Sequence, residues 1–191
     1  FEDFRIGQVI DHATPRTVTT GDASLYTALY GSRFALQSAD SFAESCGLPR
    51  APIDDLLVFH IVFGKTVPDI SLNAVANLGY ADGRFLAPVY PGDTLSASSE
   101  VIGLRENSSG KTGVVYVRTT GLNQKGETVL TFARWVMVNK RYVEAPAPQT
   151  VEPDLPDAVA AKDLAAGPAI PKGAYDLDAA GSTMLWEDYA V

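Results

Sequence analysis

The polar and apolar positions of this chain change period part-way along it. Val114, Tyr116, Arg118 and Thr120 alternate with Val115, Val117 and Thr119, a period of two rich in β-branched residues that predicts a strand. Similar stretches predict strands at about 74–86, 94–105, 112–122 and 128–140. Asn107-Ser108-Ser109-Gly110 and Asn123-Gln124-Lys125-Gly126 are the turns between them. A weaker alternation at 8–18 predicts a leading strand. Before the sheet the pattern is helical. Thr19 and Asp22 form a capping-box signature for a short helix through Tyr30, with Gly31 as its stop. Ser38 is placed to cap a second short helix that buries Phe42, Ala43 and Cys46 and ends at Gly47. Asp54-Asp55 suits a helix amino terminus, and Leu56 to Phe63 is apolar on all sides, which predicts a buried central helix ended by Gly64 and Pro68. One hydrophobic helix and consecutive turn-linked strands make an α+β layer with an antiparallel sheet.

Composition changes the picture at the carboxyl end. Residues 144–185 hold half of the chain's twelve prolines and keep no period, so they read as a linker. Most of the net charge of −8 lies in residues 144–191. Residues 1–143 carry 14 acids and 13 bases, whereas 144–191 carry 9 and 2. Neither part has a basic stripe, which argues against nucleic acid as a partner. No apolar run is long enough to span a membrane, and the acidic start Phe1-Glu2-Asp3-Phe4 does not read as a secretory leader. One cysteine is compatible with a cytoplasmic setting. With two histidines beside it, a Cys/His zinc site is unexpected.

Trp186-Glu187-Asp188-Tyr189-Ala190-Val191 repeats the pattern of Phe1-Glu2-Asp3-Phe4-Arg5-Ile6. A second copy of the domain therefore begins at Trp186. The expected organisation is a domain at 1–142, an Ala/Pro-rich acidic linker at 143–185, and the start of a second repeat at 186–191.

Several residues carry candidate chemistry. Ser109-Gly110-Lys111-Thr112 looks like the end of a phosphate loop, but Arg105 stands where its first glycine belongs and a strand follows. His12, on the leading strand, reads as a surface or edge histidine. His60, on the buried helix, is either a hydrogen-bonded core residue or a functional one. Asp54-Asp55 is either helix-terminal charge or a carboxylate pair in a site.

Arg84-Phe85-Leu86-Ala87-Pro88-Val89-Tyr90-Pro91-Gly92-Asp93-Thr94-Leu95 closely resembles the strand–turn–strand motif of MaoC-like enoyl-CoA hydratases. Leu25 to Gly31 and Pro52 to Leu57 extend the resemblance, which spans roughly residues 1–142. It implies a hotdog fold, an antiparallel sheet wrapped around a central helix. It also implies hydration or dehydration of a CoA thioester, with CoA as part of the substrate and no cofactor. The family's catalytic loop reads Gly-Asp-x-Asn-Pro-x-His. Here Gly31-Ser32-Arg33-Phe34-Ala35-Leu36-Gln37 is aligned with it, so Ser32 and Gln37 replace the Asp–His dyad. Neither side chain titrates near neutrality. In double-hotdog members one half keeps the dyad and the other shapes the pocket. The resemblance therefore implies a second hotdog domain as partner, and a homo-oligomer.

The same resemblance assigns pocket roles to Asp55, Leu56, Leu57 and His60 on the central helix, with amides near Leu56 and Leu57 facing the thioester oxygen. Thr27 to Ser38, Asp54 to His60 and Asn73 to Tyr80 resemble the amino-terminal half of members acting on a dicarboxylic acyl group. Arg33 is then a candidate for the distal carboxylate, or else a surface arginine, and Gln37 faces the same substrate. A hotdog thioesterase using Asp54 or Asp55, and a non-catalytic acyl-CoA-binding domain, remain the alternatives.

Overall fold

The computed structural model describes residues 1–31 and 34–163. They fall in two compact units, whose described parts are residues 1–31 with 52–163 and residues 34–51. The larger unit holds β1 (Val9–Thr17), α1 (Thr20–Tyr30), α4 (Asp55–Thr66), a π-helical turn (Val67–Ser71), β2 (Ala74–Phe85), β3 (Thr94–Glu106), β4 (Thr112–Leu122) and β5 (Thr128–Asn139). The smaller holds α2 (Ala35–Ser38) and α3 (Asp40–Ser45).

The five strands form one sheet in the order β1-β3-β4-β5-β2, every pair antiparallel. β1 and β2 are its edges. The turns fall where the sequence puts them, with Gly110 N–H donating to Asn107 O at 2.9 Å and Gly126 N–H to Asn123 O at 3.0 Å. In the segment before β3, Tyr90 N–H donates to the Asp93 carboxylate at 2.7 Å, and Gly92 takes a φ of 104° that favours glycine. This turn also ties β1 to β3, because Val18 N–H donates to Asp93 O at 2.8 Å.

α1 starts at the expected capping box. Thr19 Oγ1 accepts from Asp22 N–H at 3.2 Å, and the Asp22 carboxylate accepts from Thr19 N–H at 2.9 Å. Gly31 ends it in the left-handed region. Ser38 does not cap the next helix. It closes α2 and its hydroxyl donates to Phe34 O, while Ala39 starts α3 without a side-chain cap. Ala43 and Cys46 are buried as expected, and Phe42 only partly.

α4 lies against one face of the sheet. Val58, Ile61 and Val62 are buried among Leu95, Ala97, Leu130 and Phe132. Gly121 of β4 sets the depth of the helix. A Cβ there would stand 2.8 Å from Val62 Cγ2, closer than such contacts occur. Gly121→Ala is expected to destabilise the fold by about 1–3 kcal/mol through overpacking. Adding Val62→Ala should recover part of the loss in a thermal-melting double-mutant cycle, because the two positions touch.

Three expectations about this helix and its surroundings are corrected. α4 does not end at Gly64 but runs to Thr66, and Pro68 sits in the π-helical turn after it. Burial is one-sided: Leu56 is 57% exposed, and His60 and Gly64 share its exposed stripe at i, i+4 and i+8. His60 is thus not a core histidine. His12 is the buried one, at 6% exposure, with Nδ1 2.7 Å from the Asp69 carboxylate and Nε2 2.8 Å from Ser99 Oγ. It ties β1 to β3 and to the π-helical turn.

The first part of the linker is laid on the domain. Val151 and Leu104 exchange backbone hydrogen bonds at 2.8 Å, and Pro153 packs on Gly103. The end of the linker and Trp186 to Val191, where the second repeat is expected, lie outside the described residues.

Candidate active site

The amino end of α4 is built by two consecutive acids. Asp54 is the N-cap, and its Oδ1 accepts from Leu56 N–H at 2.9 Å. That bond satisfies one of the amides expected to face a thioester oxygen. The amide of Leu57, also in the first turn, has no carbonyl four residues back inside the helix. It is therefore the better donor of the two, reinforced by the positive end of the helix dipole. The Leu57 side chain packs on the core. Burial pushes the Asp55 carboxyl above its ordinary range, and the Asp54 charge beside it adds to the effect.

Aromatic rings surround this helix. Phe59 is the hub, with ring centroids 5.1 Å from Phe132, 5.6 Å from Tyr80, 5.8 Å from Phe63 and 5.9 Å from His60. Tyr26 of α1 lies 6.2 Å from the His60 ring and 4.5 Å from Tyr30. Burial first, then the charge of Asp54, pushes its phenol pKa up, so Tyr26 stays protonated as a hydrogen-bond donor. Leu56, Phe59, Tyr80 and Phe132 line an apolar cavity of about 400 Å³, walled on one side by Pro156 to Val159 of the linker. A cavity of this size fits a small acyl group.

Asp55, Leu56, Leu57 and His60 thus come together on α4, in the larger unit. Gln37 lies on α2, in the smaller one. Ser32 and Arg33 lie outside the described residues. Sequence reasoning did not single out Phe59, Tyr80 or Tyr26 as site residues. Three aromatics in Phe59-His60-Ile61-Val62-Phe63 and Tyr80 were the available signal. Among the described residues no group of three or more His, Cys, Asp or Glu side chains is placed to hold a metal ion. No described helix is long and apolar enough to cross a membrane.

A family model described as mesaconyl-CoA hydratase matches residues 1–184. The chain belongs to the mesaconyl-CoA hydratase family. It is 67% identical over 191 residues to a β-methylmalyl-CoA dehydratase of Chloroflexus aurantiacus, and covers 54% of that protein. The chain therefore spans about half the length of this curated relative. A solved structure of a MaoC-domain dehydratase from the same organism superposes with a TM-score of 0.91 at 67% identity, over 100% of this chain and 54% of that one. A double-hotdog protein of Mycobacterium tuberculosis matches with a TM-score of 0.66 at 27% identity, over 96% of this chain and 56% of the other. The fold is a hotdog, as the Arg84–Leu95 motif implied.

Proposed function

We propose that the whole protein adds water reversibly to mesaconyl-CoA, giving β-methylmalyl-CoA, and that this hotdog shapes the acyl-CoA pocket. The observation that carries the reading is the apolar cavity against the amino end of α4, in a chain of this family. The family's name and that of the Chloroflexus relative describe the two directions of one such reaction.

Hydration needs a base to activate water for attack at the β-carbon and an acid to protonate the α-carbon. Ser32 and Gln37 supply neither, so we assign proton transfer to a second hotdog domain of the same protein. The role left for this half is to hold the thioester. The Leu57 amide stabilises the enolate oxygen as charge develops on it, and the wall of Leu56, Phe59 and Tyr80 excludes water. Edge strand β2 leaves Val75, Leu78 and Tyr80 exposed. An edge with such residues is a pairing surface, and we assign it to the second domain. The two-domain chain then assembles as a homo-oligomer in the cytoplasm.

The acyl group's distal carboxylate needs a cation when it is buried. Arg33, in the sequence segment that the resemblance aligns with the dyad loop, is our candidate. Arg33→Ala should raise KM for mesaconyl-CoA at least about tenfold, matching the roughly 1.5–3 kcal/mol of a hydrogen bond to a charged group. KM for a monocarboxylic enoyl-CoA should barely move. Equal effects on both substrates would remove Arg33 from the site.

The elevated Asp55 carboxyl favours one other reading, thioester hydrolysis with Asp55 as the base. Assaying the whole protein with mesaconyl-CoA for hydration and for free-thiol release separates the two. Thiol release without hydration would overturn the hydratase assignment. Binding without either would leave an acyl-CoA-binding domain.

A further inference from the structure

A second cavity, of about 660 Å³, opens between β1 and the carboxyl-terminal half of α4, and Arg16 and Lys65 are among the residues that line it. β1 makes it by breaking register. Its pairing with β3 is interrupted between His12 and Arg16, and Thr14 takes a φ of 67° that non-glycine residues seldom adopt. The bulge carries Arg16 to the cavity rim. From α4, His60, Gly64 and Lys65 line the opposite wall.

The charges are arranged unevenly. Arg16 donates to Asp22 of α1 at 2.7 Å, which uses one of its five donors. Asp69 also reaches the cavity, but its carboxylate is turned onto His12 at 2.7 Å. Among the described residues Lys65 has only the carbonyl of Thr14 to donate to, and no carboxylate forms an ion pair with it. Burial, and then the positive charge of Arg16, push the Lys65 amine below its ordinary range. Two cations that repel each other across a cavity are a cost in the empty state, and an anion placed between them removes it. Gly64 leaves room for one, since a Cβ built there meets nothing within 4 Å.

We propose that this cavity binds a phosphate group of the CoA moiety, held between Arg16 and Lys65. The inference rests on the acyl-CoA reading above and adds the polar anchor that the apolar cavity lacks. The ammonium of Lys65 acts as a point charge, and the fork of Arg16 offers paired donors to phosphoryl oxygens. His60 lines this cavity, and its ring centroid lies 5.9 Å from that of Phe59, which lines the apolar one.

The test is calorimetric titration of the whole two-domain protein with CoA, with pantetheine, which has no phosphate, and with inorganic pyrophosphate. Lys65→Gln and Gly64→Glu, the second bringing a carboxylate into the cavity, should each weaken CoA binding about tenfold or more. Neither should change pantetheine binding, and Lys65→Arg should keep CoA affinity within about twofold of the parent. Unchanged CoA affinity in both variants overturns the proposal, as does equal weakening toward CoA and pantetheine. Pyrophosphate binding that depends on Lys65 while CoA binding does not would also overturn the assignment to CoA. Mesaconyl-CoA hydration is followed in the same variants. Its absence from the parent protein, with Lys65-dependent CoA binding intact, defeats the hydratase reading and leaves the anchor standing. Hydration with CoA affinity indifferent to both substitutions does the reverse.

Discussion

Residues 1–191 expressed by themselves should hydrate mesaconyl-CoA no faster than a catalyst stripped of its acid and base. Ser32 and Gln37 stand where the resemblance places the dyad, and on that reading the loss of positioned proton transfer is worth roughly 10²–10⁴-fold. Neither histidine makes it good. His12 is buried against Asp69 and Ser99, and His60 lies on α4 among aromatic rings rather than in the degenerate loop. The helix terminus, the Leu57 amide and the apolar cavity remain, and on the proposed reading they would position a thioester without moving a proton. Adding the second half in trans should restore turnover, because β2 and the exposed stripe of α4 then find their cover. Steady-state assays of the fragment, of the second half and of the mixture decide it. Full activity from 1–191 alone would show that the catalytic groups lie in this half. Restoration only in the mixture would support the division of labour.

The sheet was legible because each of its strands keeps a period of two and each hairpin has an Asn/Gly turn. The predicted strand ranges match β2 to β5 to within a residue or two. α1 was legible from Thr19, Asp22 and Gly31, since a capping box and a left-handed stop are local signals. α4 was found, but its burial was misjudged. An all-round apolar run such as Leu56 to Phe63 reports that every face needs cover. It does not report which face the rest of this domain leaves uncovered, and here Leu56 stands open. The end of the helix was misplaced because Gly64 is tolerated in an exposed turn and Pro68 fits the first residues of the π-helical turn.

The site was legible in proportion to how local it is. Asp55, Leu56, Leu57 and His60 follow one another on one helix, so finding that helix placed all four. The expected absence of the dyad rests on residue identity at Ser32 and Gln37. The cationic cavity was not legible at all. Arg16 reaches it through a bulge whose position depends on pairing with β3, and Lys65 meets it from 49 residues further along the chain. His12 was assigned to the surface for the same reason, since its partners Asp69 and Ser99 come from elements remote in sequence. Nor was Arg134 singled out, although a charged residue on the inward side of β5, between Phe132 and Val136, was the signal.

Replacing Arg134 by methionine should stabilise the whole protein by about 1–4 kcal/mol, seen as a higher melting temperature. Arg134 is 1% exposed, its Nε has no hydrogen-bond partner among the described residues, and no described carboxylate forms an ion pair with it. Its visible compensation is a long bond from Nη2 to Ser71 Oγ at 3.3 Å and a seat 4.7 Å from the Phe63 ring centroid. A desolvated cation–π contact is worth roughly 2 kcal/mol, whereas burying an ion costs several. Desolvation therefore wins, and it lowers the Arg134 pKa to about 10. The unfolded chain keeps this proton to a pH above about 12. Between those values the unfolded state binds more protons than the folded one, so the parent gains stability as pH rises. The advantage of Arg134→Met should accordingly be full at neutral pH and shrink above about pH 10. Methionine has the flexibility to fill the volume without a cavity, so the comparison isolates the charge. A methionine variant that melts below the parent at pH 7 would mean that the guanidinium has a partner strong enough to repay its burial.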